Sequence, residues 1–206
     1  MSNSYGMTEA GPAFIVIPKE EAERRVGSVG RPLPPMEVRI VDDEGRELPA
    51  GQVGELLTRL PGRQREYYRD PEATAATWTE DGWLRSGDLA HLDEDGYLYL
   101  VGRKKDLIIR GGHNVYPTDV EHVLLEHPDV AEVAVVGVPH PVLGEDVAAF
   151  VVPREGAPVT ADELRGHCAA RLADYKRPRQ VHFVGELPRN ATGKVMKHLL
   201  RHPEAP

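Results

Sequence analysis

Apolar residues recur along this chain in two different rhythms, and the change falls near residue 104. Upstream of it, residues 13–17 (Ala-Phe-Ile-Val-Ile) form a short continuous apolar run, the pattern of a strand buried on both faces. Met36, Val38 and Ile40 alternate with Glu37, Arg39 and Val41 and lead into a turn at Asp43-Glu44-Gly45. A second run, Val53 to Leu60, follows Pro49-Ala50-Gly51, so the two runs predict a strand pair. Asp70-Pro71-Glu72 opens a short predicted helix: Asp70 can cap it, and Pro71 sits where a missing N–H costs nothing. Two more strands, about 84–92 and 97–102, flank the acidic turn Asp93-Glu94-Asp95-Gly96. Several short strands with one small helix predict a β-barrel-like or small-sheet unit.

Downstream, helical spacing enters. Thr118-Asp-Val-Glu121 has the form of a capping box, and Val120, Val123 and Leu124 share one face of the helix it would start. Val130 to Val138 and Val147 to Val152 read as β-branched strands joined by a Pro/Gly loop. Thr160-Ala-Asp-Glu163 is a second capping box, followed by Leu164, Cys168 and Leu172 at spacing four. A strand at 180–184 and a terminal helix over about 195–201 complete the set. The expected fold class is therefore α+β, with a β-barrel-like part over residues 1–104 and a small α+β domain over 105–206.

Composition narrows the function. The net charge of -8 over 206 residues argues against general affinity for nucleic acid or anionic membranes. No apolar run approaches the ~18 residues of a membrane span, no secretory signal opens the chain, and the single cysteine rules out an internal disulfide. A cytoplasmic protein is expected. Charge is unevenly spread: residues 1–104 carry 13 Lys/Arg against 19 Asp/Glu, whereas Lys176 to Arg201 holds seven basic residues and one acid, Glu186. Such a patch suits a compact anion such as a phosphate, or is simply a solvated basic face.

Three segments carry candidate chemistry. Tyr5-Gly6-Met7-Thr8-Glu9 places a ring, a hydroxyl and a carboxylate within five residues, enough to stack a base, touch a phosphate and hold Mg²⁺. Ser86-Gly87-Asp88 presents a carboxylate suited to a ribose diol. Gly193-Lys194 lacks the Walker spacing of a phosphate loop. Taken singly, each also reads as ordinary turn chemistry.

Together the segments are more specific. Tyr-Gly-Met-Thr-Glu at 5–9, Asp-Pro-Glu-Ala-Thr at 70–74, Gly-Trp-Leu-Arg-Ser-Gly-Asp at 82–88, the stretch Tyr99 to Gly112, and Pro-Arg-Asn-Ala-Thr-Gly-Lys at 188–194 occur in that order. The ordered set resembles the adenylate-forming superfamily of acyl-CoA synthetases, luciferases and peptide-synthetase adenylation domains. Ile-Ile-Arg-Gly-Gly-His-Asn-Val-Tyr-Pro at 108–117 resembles the acyl-CoA synthetase branch, although His113 stands where an acid is common.

The resemblance implies that a carboxylic acid reacts with ATP to give an acyl-adenylate and pyrophosphate, after which a lid domain rotates and coenzyme A displaces AMP. It assigns Tyr5 to adenine, Thr8 to phosphate, Glu9 to Mg²⁺, and Asp88 with its supporting Arg103 to the ribose. Lys105 falls at the hinge, Gly111 and Gly112 on the loop that passes the pantetheine chain, and Lys194 on the cation that stabilises adenylation. It also implies that Lys194 is a site for lysine acetylation, which removes the charge the chemistry needs.

The family's Gly- and Ser/Thr-rich phosphate loop precedes Tyr-Gly-Met-Thr-Glu, and these 206 residues contain no such loop. The expected activity is accordingly that of a C-terminal portion, inactive alone and completed by a partner polypeptide that brings the phosphate loop and the acyl pocket. A non-catalytic module binding nucleotide or coenzyme A, and a gene remnant, are the alternatives. Residues 14–17 are expected to form either an exposed apolar patch or a rearranged segment.

Overall fold

A computed structural model of the chain describes residues 3–62 and 65–201, and of residues 12 and 13 the backbone alone. Contacts divide it after Lys105 into two units, each with its own sheet and core.

Unit 1 is one open antiparallel sheet of seven strands: β1 (Ser4–Met7), β2 (Gly11–Val16), β3 (Ser28–Pro32), β4 (Glu37–Val41), β5 (Gly54–Arg59), β6 (Leu84–Leu92) and β7 (Leu98–Arg103). Their order is β1-β2-β3-β7-β6-β5-β4, and among the described residues no closed barrel forms. The alternation at 36–41 works as predicted. Met36, Val38 and Ile40 face a core of Phe14, Ile15, Val29, Leu56, Ala90 and Leu98, while Val41 and Leu57 lie on the opposite face with Trp83. Arg39 and Arg59 lie over the Trp83 ring at 4.2 and 4.5 Å and shield that second face. Asp70 caps α1 (Pro71–Thr77) by accepting the Ala73 N–H, with Pro71 in the first turn.

The expected apolar patch at 14–17 is not there. β2 lies between β1 and β3, and Phe14, Ile15 and Ile17 are buried. What allows this is Gly30: a Cβ there would stand 1.9 Å from the Val16 carbonyl carbon. β3 is Gly/Pro-interrupted and carries no alternation, so the sequence pattern hides the strand that covers β2.

Unit 2 places β8 (Ile108–Arg110), β9 (His113–Val115), β10 (Val130–His140), β11 (Gly144–Pro153) and β12 (Gln180–Phe183) in a sheet of order β10-β11-β8-β9, with β12 parallel to β11. Helices α2 (Pro117–Leu125) and α3 (Ala161–Ala169) supply Val120, Leu124, Leu164 and Cys168 to a core with Val135, Val147 and Val151. Ala134, Val136, Val138, Ala148 and Phe150 turn to the other face, where Leu187 and Leu200 cover them. Burial on both faces is why β10 and β11 read as continuous β-branched runs.

Two expectations fail here. The Thr118–Glu121 capping box does not form, because Tyr116 is the N-cap and Pro117 starts the helix two residues earlier. Glu121 turns instead to β10, where Oε1 accepts the Val135 N–H at 2.8 Å. The terminal helix is reduced to a 3-10 turn at Lys197–Leu199. Upstream of it, Val195 is bridged to Arg189 and the Met196 N–H is donated to the Pro188 carbonyl, so the backbone of 195–196 belongs to a hairpin. The Thr160–Glu163 box forms with both reciprocal bonds. Among the described residues no helix is long and apolar enough to cross a membrane.

Candidate functional site

In unit 1, pairing of β6 with β7 sets Asp88 opposite Arg103, and β1 brings Tyr5 to the same carboxylate. Arg103 Nε lies 2.8 Å from Asp88 Oδ1, and the Tyr5 hydroxyl donates to Oδ2 at 2.6 Å. Asp88 is buried, and its own N–H is donated to Ser86 Oγ at 3.0 Å. Burial first, and then the Asp88 carboxylate, push the Tyr5 phenol well above its ordinary range, so it remains a donor. The Tyr5 ring meets Phe14 edge-on at 5.7 Å. Three residues separated by up to 98 positions thus form one hydrogen-bonded cluster around a single buried carboxylate.

Thr8 and Glu9 follow directly, in the turn between β1 and β2 that the Ala10 N–H closes onto the Met7 carbonyl. Arg65 Nη1 donates to the carbonyls of Thr8 and Glu9 at 3.0 and 2.8 Å, and the Tyr67 hydroxyl donates to Glu9 Oε1 at 3.3 Å. Sequence reading missed both braces, since they come from a loop more than fifty residues away with no local signature. Among the described residues no three His, Cys, Asp or Glu side chains gather as a metal site. Glu9 offers one carboxylate, the type of donor that Mg²⁺ takes together with phosphates and water.

Lys105 lies in the 3-10 turn Lys104–Asp106, between β7 and β8. Its neighbour Lys104 is held in unit 1, with Nζ 3.0 Å from both Asp43 Oδ1 and Glu55 Oε2. In unit 2, Gly111 and Gly112 are the two-residue tip of the β8–β9 hairpin, with φ of 57° and 83°. Positive φ at both positions is what such a tip demands, and it is this backbone shape that selects glycine. A Cβ at Gly112 would meet nothing within 4 Å, so crowding inside the chain plays no part there. His113, next along, stacks on Tyr175 at 4.6 Å.

Lys194 sits on the exposed hairpin 189–195, away from the glycine tip in sequence but in the same unit. The Asn190 side chain organises this loop from within: Oδ1 accepts the N–H groups of Thr192 and Lys194 at 3.1 and 2.9 Å. Gly193, with φ of 82°, closes the turn by donating to the Asn190 carbonyl. Among the described residues no ion pair engages the Lys194 ammonium.

Comparison with known proteins gives this geometry a family context. The description "AMP-binding enzyme" matches residues 1–68, and "AMP-binding enzyme C-terminal domain" matches residues 119–194. The chain is 45% identical over 201 residues to the sulfoacetate–CoA ligase of Cupriavidus necator, covering 97% of this chain and 39% of that protein. It superposes on ATP-bound MatB from Rhodopseudomonas palustris with a TM-score of 0.90 at 40% identity, covering 98% of this chain and 40% of that one. It also matches the amide bond synthetase McbA from Marinactinospora thermotolerans, with a TM-score of 0.88 at 44% identity over 99% of this chain and 42% of that one. The chain spans about 40% of the length of the curated relatives and solved structures it matches.

Proposed function

Since the chain belongs to the adenylate-forming, AMP-binding enzyme family, in its acyl-CoA synthetase branch and as a C-terminal portion, we propose that it supplies the ribose-and-base side of an ATP site and the lid of an acid–thiol ligase. The reaction joins a carboxylic acid to coenzyme A, with ATP cleaved to AMP and pyrophosphate. The observation that carries this reading is the Asp88 cluster. An ionised carboxylate offers about four acceptor positions. Arg103 takes one on Oδ1 and Tyr5 one on Oδ2, which leaves one on each oxygen. Two acceptors on adjacent oxygens match the two vicinal hydroxyls of a ribose.

Each remaining role follows from what its side chain can do. The Thr8 and Glu9 turn, held by Arg65, faces the nucleotide's phosphates and their Mg²⁺, which when bound neutralises charge on the triphosphate. Tyr5 supports the adenine side. Lys194 delivers a cation to the α-phosphate, where attack by the acid concentrates negative charge. In a site from which water is excluded, such a group is worth on the order of 10²–10³ in rate. The glycine tip at 111–112 offers backbone without side chains to the pantetheine arm of coenzyme A, and Lys105 serves as the pivot that lets Lys194 and the glycine tip act in turn.

These 206 residues bring no glycine-rich phosphate loop, so the activity belongs to their combination with a polypeptide that carries one. The test is acid-dependent pyrophosphate release with a panel of fatty and aromatic acids. The chain alone is expected to match its Lys194→Ala variant. Co-expression with a phosphate-loop polypeptide is expected to restore release in the wild type and to leave the variant slower by two to three orders of magnitude, roughly. Thioester formation by the 206 residues unaided refutes the reading.

A further inference from the structure

Lys194 sits at the turn of a hairpin with one further cation on its entering arm and another just past its leaving arm, and both of those cations are tied down. On the entering arm, the Arg189 guanidinium divides its donors: Nη2 pairs with Glu132 on β10, and Nη1 donates to the Gly193 carbonyl at 2.7 Å. That carbonyl belongs to the residue immediately before Lys194. Just past the leaving arm, in the 3-10 turn, Lys197 Nζ lies 2.6 Å from Glu121 Oε1 on α2. The same carboxylate oxygen accepts the Val135 N–H of β10 at 2.8 Å.

We propose that Arg189 with Glu132, and Lys197 with Glu121, form a two-sided clamp that positions the Lys194 ammonium. The clamp rests on the reading of Lys194 as the adenylation cation, yet its structural consequence is measurable without that reaction. The local logic is geometric. Asn190 organises the turn from inside through its own backbone and side chain, but none of its bonds ties the turn to the rest of unit 2. Val195 rests on the apolar face of β10 and β11, and among the described residues the ion pairs that tie this segment outward run to these two carboxylates, both seated against β10. Remove either, and the hairpin keeps its internal turn while losing its aim.

The two halves of the clamp differ in a way that makes the proposal testable. The Lys197–Glu121 pair is largely shielded, with side-chain exposures of 21% and 16%, and carries a strand N–H as well. Breaking it uncovers a buried N–H and disturbs packing. The Arg189–Glu132 pair is half-exposed, at 44% and 45%, where an ion pair adds little to global stability. A change there separates aim from folding. None of these four residues touches a substrate in the mechanism above, so all are positioning residues.

The experiment is ¹⁵N relaxation on the full 206-residue chain, comparing wild type with Glu132→Gln, Arg189→Met and Arg189→Lys. In the wild type the amides of Thr192, Gly193 and Lys194 are expected at backbone order parameters near ~0.85, falling below ~0.6 in Glu132→Gln and Arg189→Met. The melting temperature is expected to hold, and Arg189→Lys to recover part of the order because it keeps the charge but not the fork. With a phosphate-loop polypeptide supplied, adenylation kcat is expected to fall by about tenfold to a hundredfold at unchanged KM for the acid. Thioester formation from added acyl-adenylate should continue as before. Order parameters at 192–194 that stay at the wild-type level in both Glu132→Gln and Arg189→Met overturn the clamp. If the loop loosens but Lys194→Ala itself leaves adenylation intact, the clamp stands and the assignment of Lys194 to catalysis falls.

Discussion

Asp88 is a structural element of unit 1 and, in the proposed function, a binding one as well. Tyr5 and Arg103 each engage one oxygen of the buried group. Tyr5→Phe keeps the ring and its edge contact with Phe14 and deletes only the donor to Oδ2. The loss of one hydrogen bond to a charged acceptor is expected to cost about 1.5–3 kcal/mol, read as a lower urea midpoint at unchanged slope. A midpoint equal to wild type means that the Tyr5–Asp88 bond contributes nothing.

Cys168 is the second residue with a definite signature. Its thiol is fully buried among Leu164, Val120 and Val151, and burial pushes it up to about 11. A raised folded pKa favours the protonated thiol, so its contribution is complete below the unfolded value near ~8.5 and is lost as pH climbs through about 11. Stability is therefore expected to decline over that window by up to ~2–3 kcal/mol, and a Cys168→Ala variant should show a shallower decline. Iodoacetamide at neutral pH should leave the folded thiol unmodified. Rapid alkylation of folded protein contradicts the burial.

Among the elements, what the sequence revealed and what it hid have one explanation. Motifs whose partners lie within a turn or two were legible: Asp70 on Ala73, and Thr160 with Glu163, both cap as their spacing implies. Signals that depend on a distant segment misled. Thr118–Glu121 has the same spacing as Thr160–Glu163, but Pro117 starts the helix early and β10 recruits Glu121 from a different element. The helix expected at 195–201 has the right residues, but pairing with 188–189 holds the backbone of 195–196 in a hairpin instead. In the candidate site the same division holds. The motif residues could be named from sequence, whereas Arg65, Tyr67, Glu132 and Glu121, which hold them in place, come from other parts of the chain.

β3 is the hidden strand, and two glycines separate the possible reasons for its Gly content. Gly30 and Gly45 both adopt positive φ, at 106° and 80°. At Gly45 a Cβ would meet nothing within 4 Å, so Gly45→Ala bears only the backbone penalty of about 1–2 kcal/mol. At Gly30 a Cβ would overlap the Val16 carbonyl at 1.9 Å and the Ile17 nitrogen at 2.2 Å. Gly30→Ala must therefore also force β2 from β3, exposing Ile15 and Phe14, and a loss above ~3 kcal/mol is expected in urea titration. Equal costs at the two positions would mean that β2 and β3 do not approach as closely as described.

On the scale of the whole molecule, the decisive fact is that each hydrophobic cluster of the described residues lies within one unit. Phe14, Ile15, Val29, Ile40, Leu56, Ala90 and Leu98 belong to one, with Val41, Leu57 and Trp83 on its far face. All the buried residues of the other two clusters lie between Ile108 and Leu200. A sheet whose two faces are covered by elements of its own sequence has the requirements of an independent domain. Residues 106–206 expressed alone are accordingly expected to fold cooperatively, with the amide shifts of β10, β11 and α3 unchanged from the full chain. The consequence for function is specific. In the proposed function a lid that presents Lys194 at one stage and the glycine tip at another has to move as one body, and only a unit with a self-sufficient core can do so without unfolding. If the 106–206 fragment is a molten or unfolded chain, its core needs unit 1, and a lid turning about Lys105 becomes physically untenable.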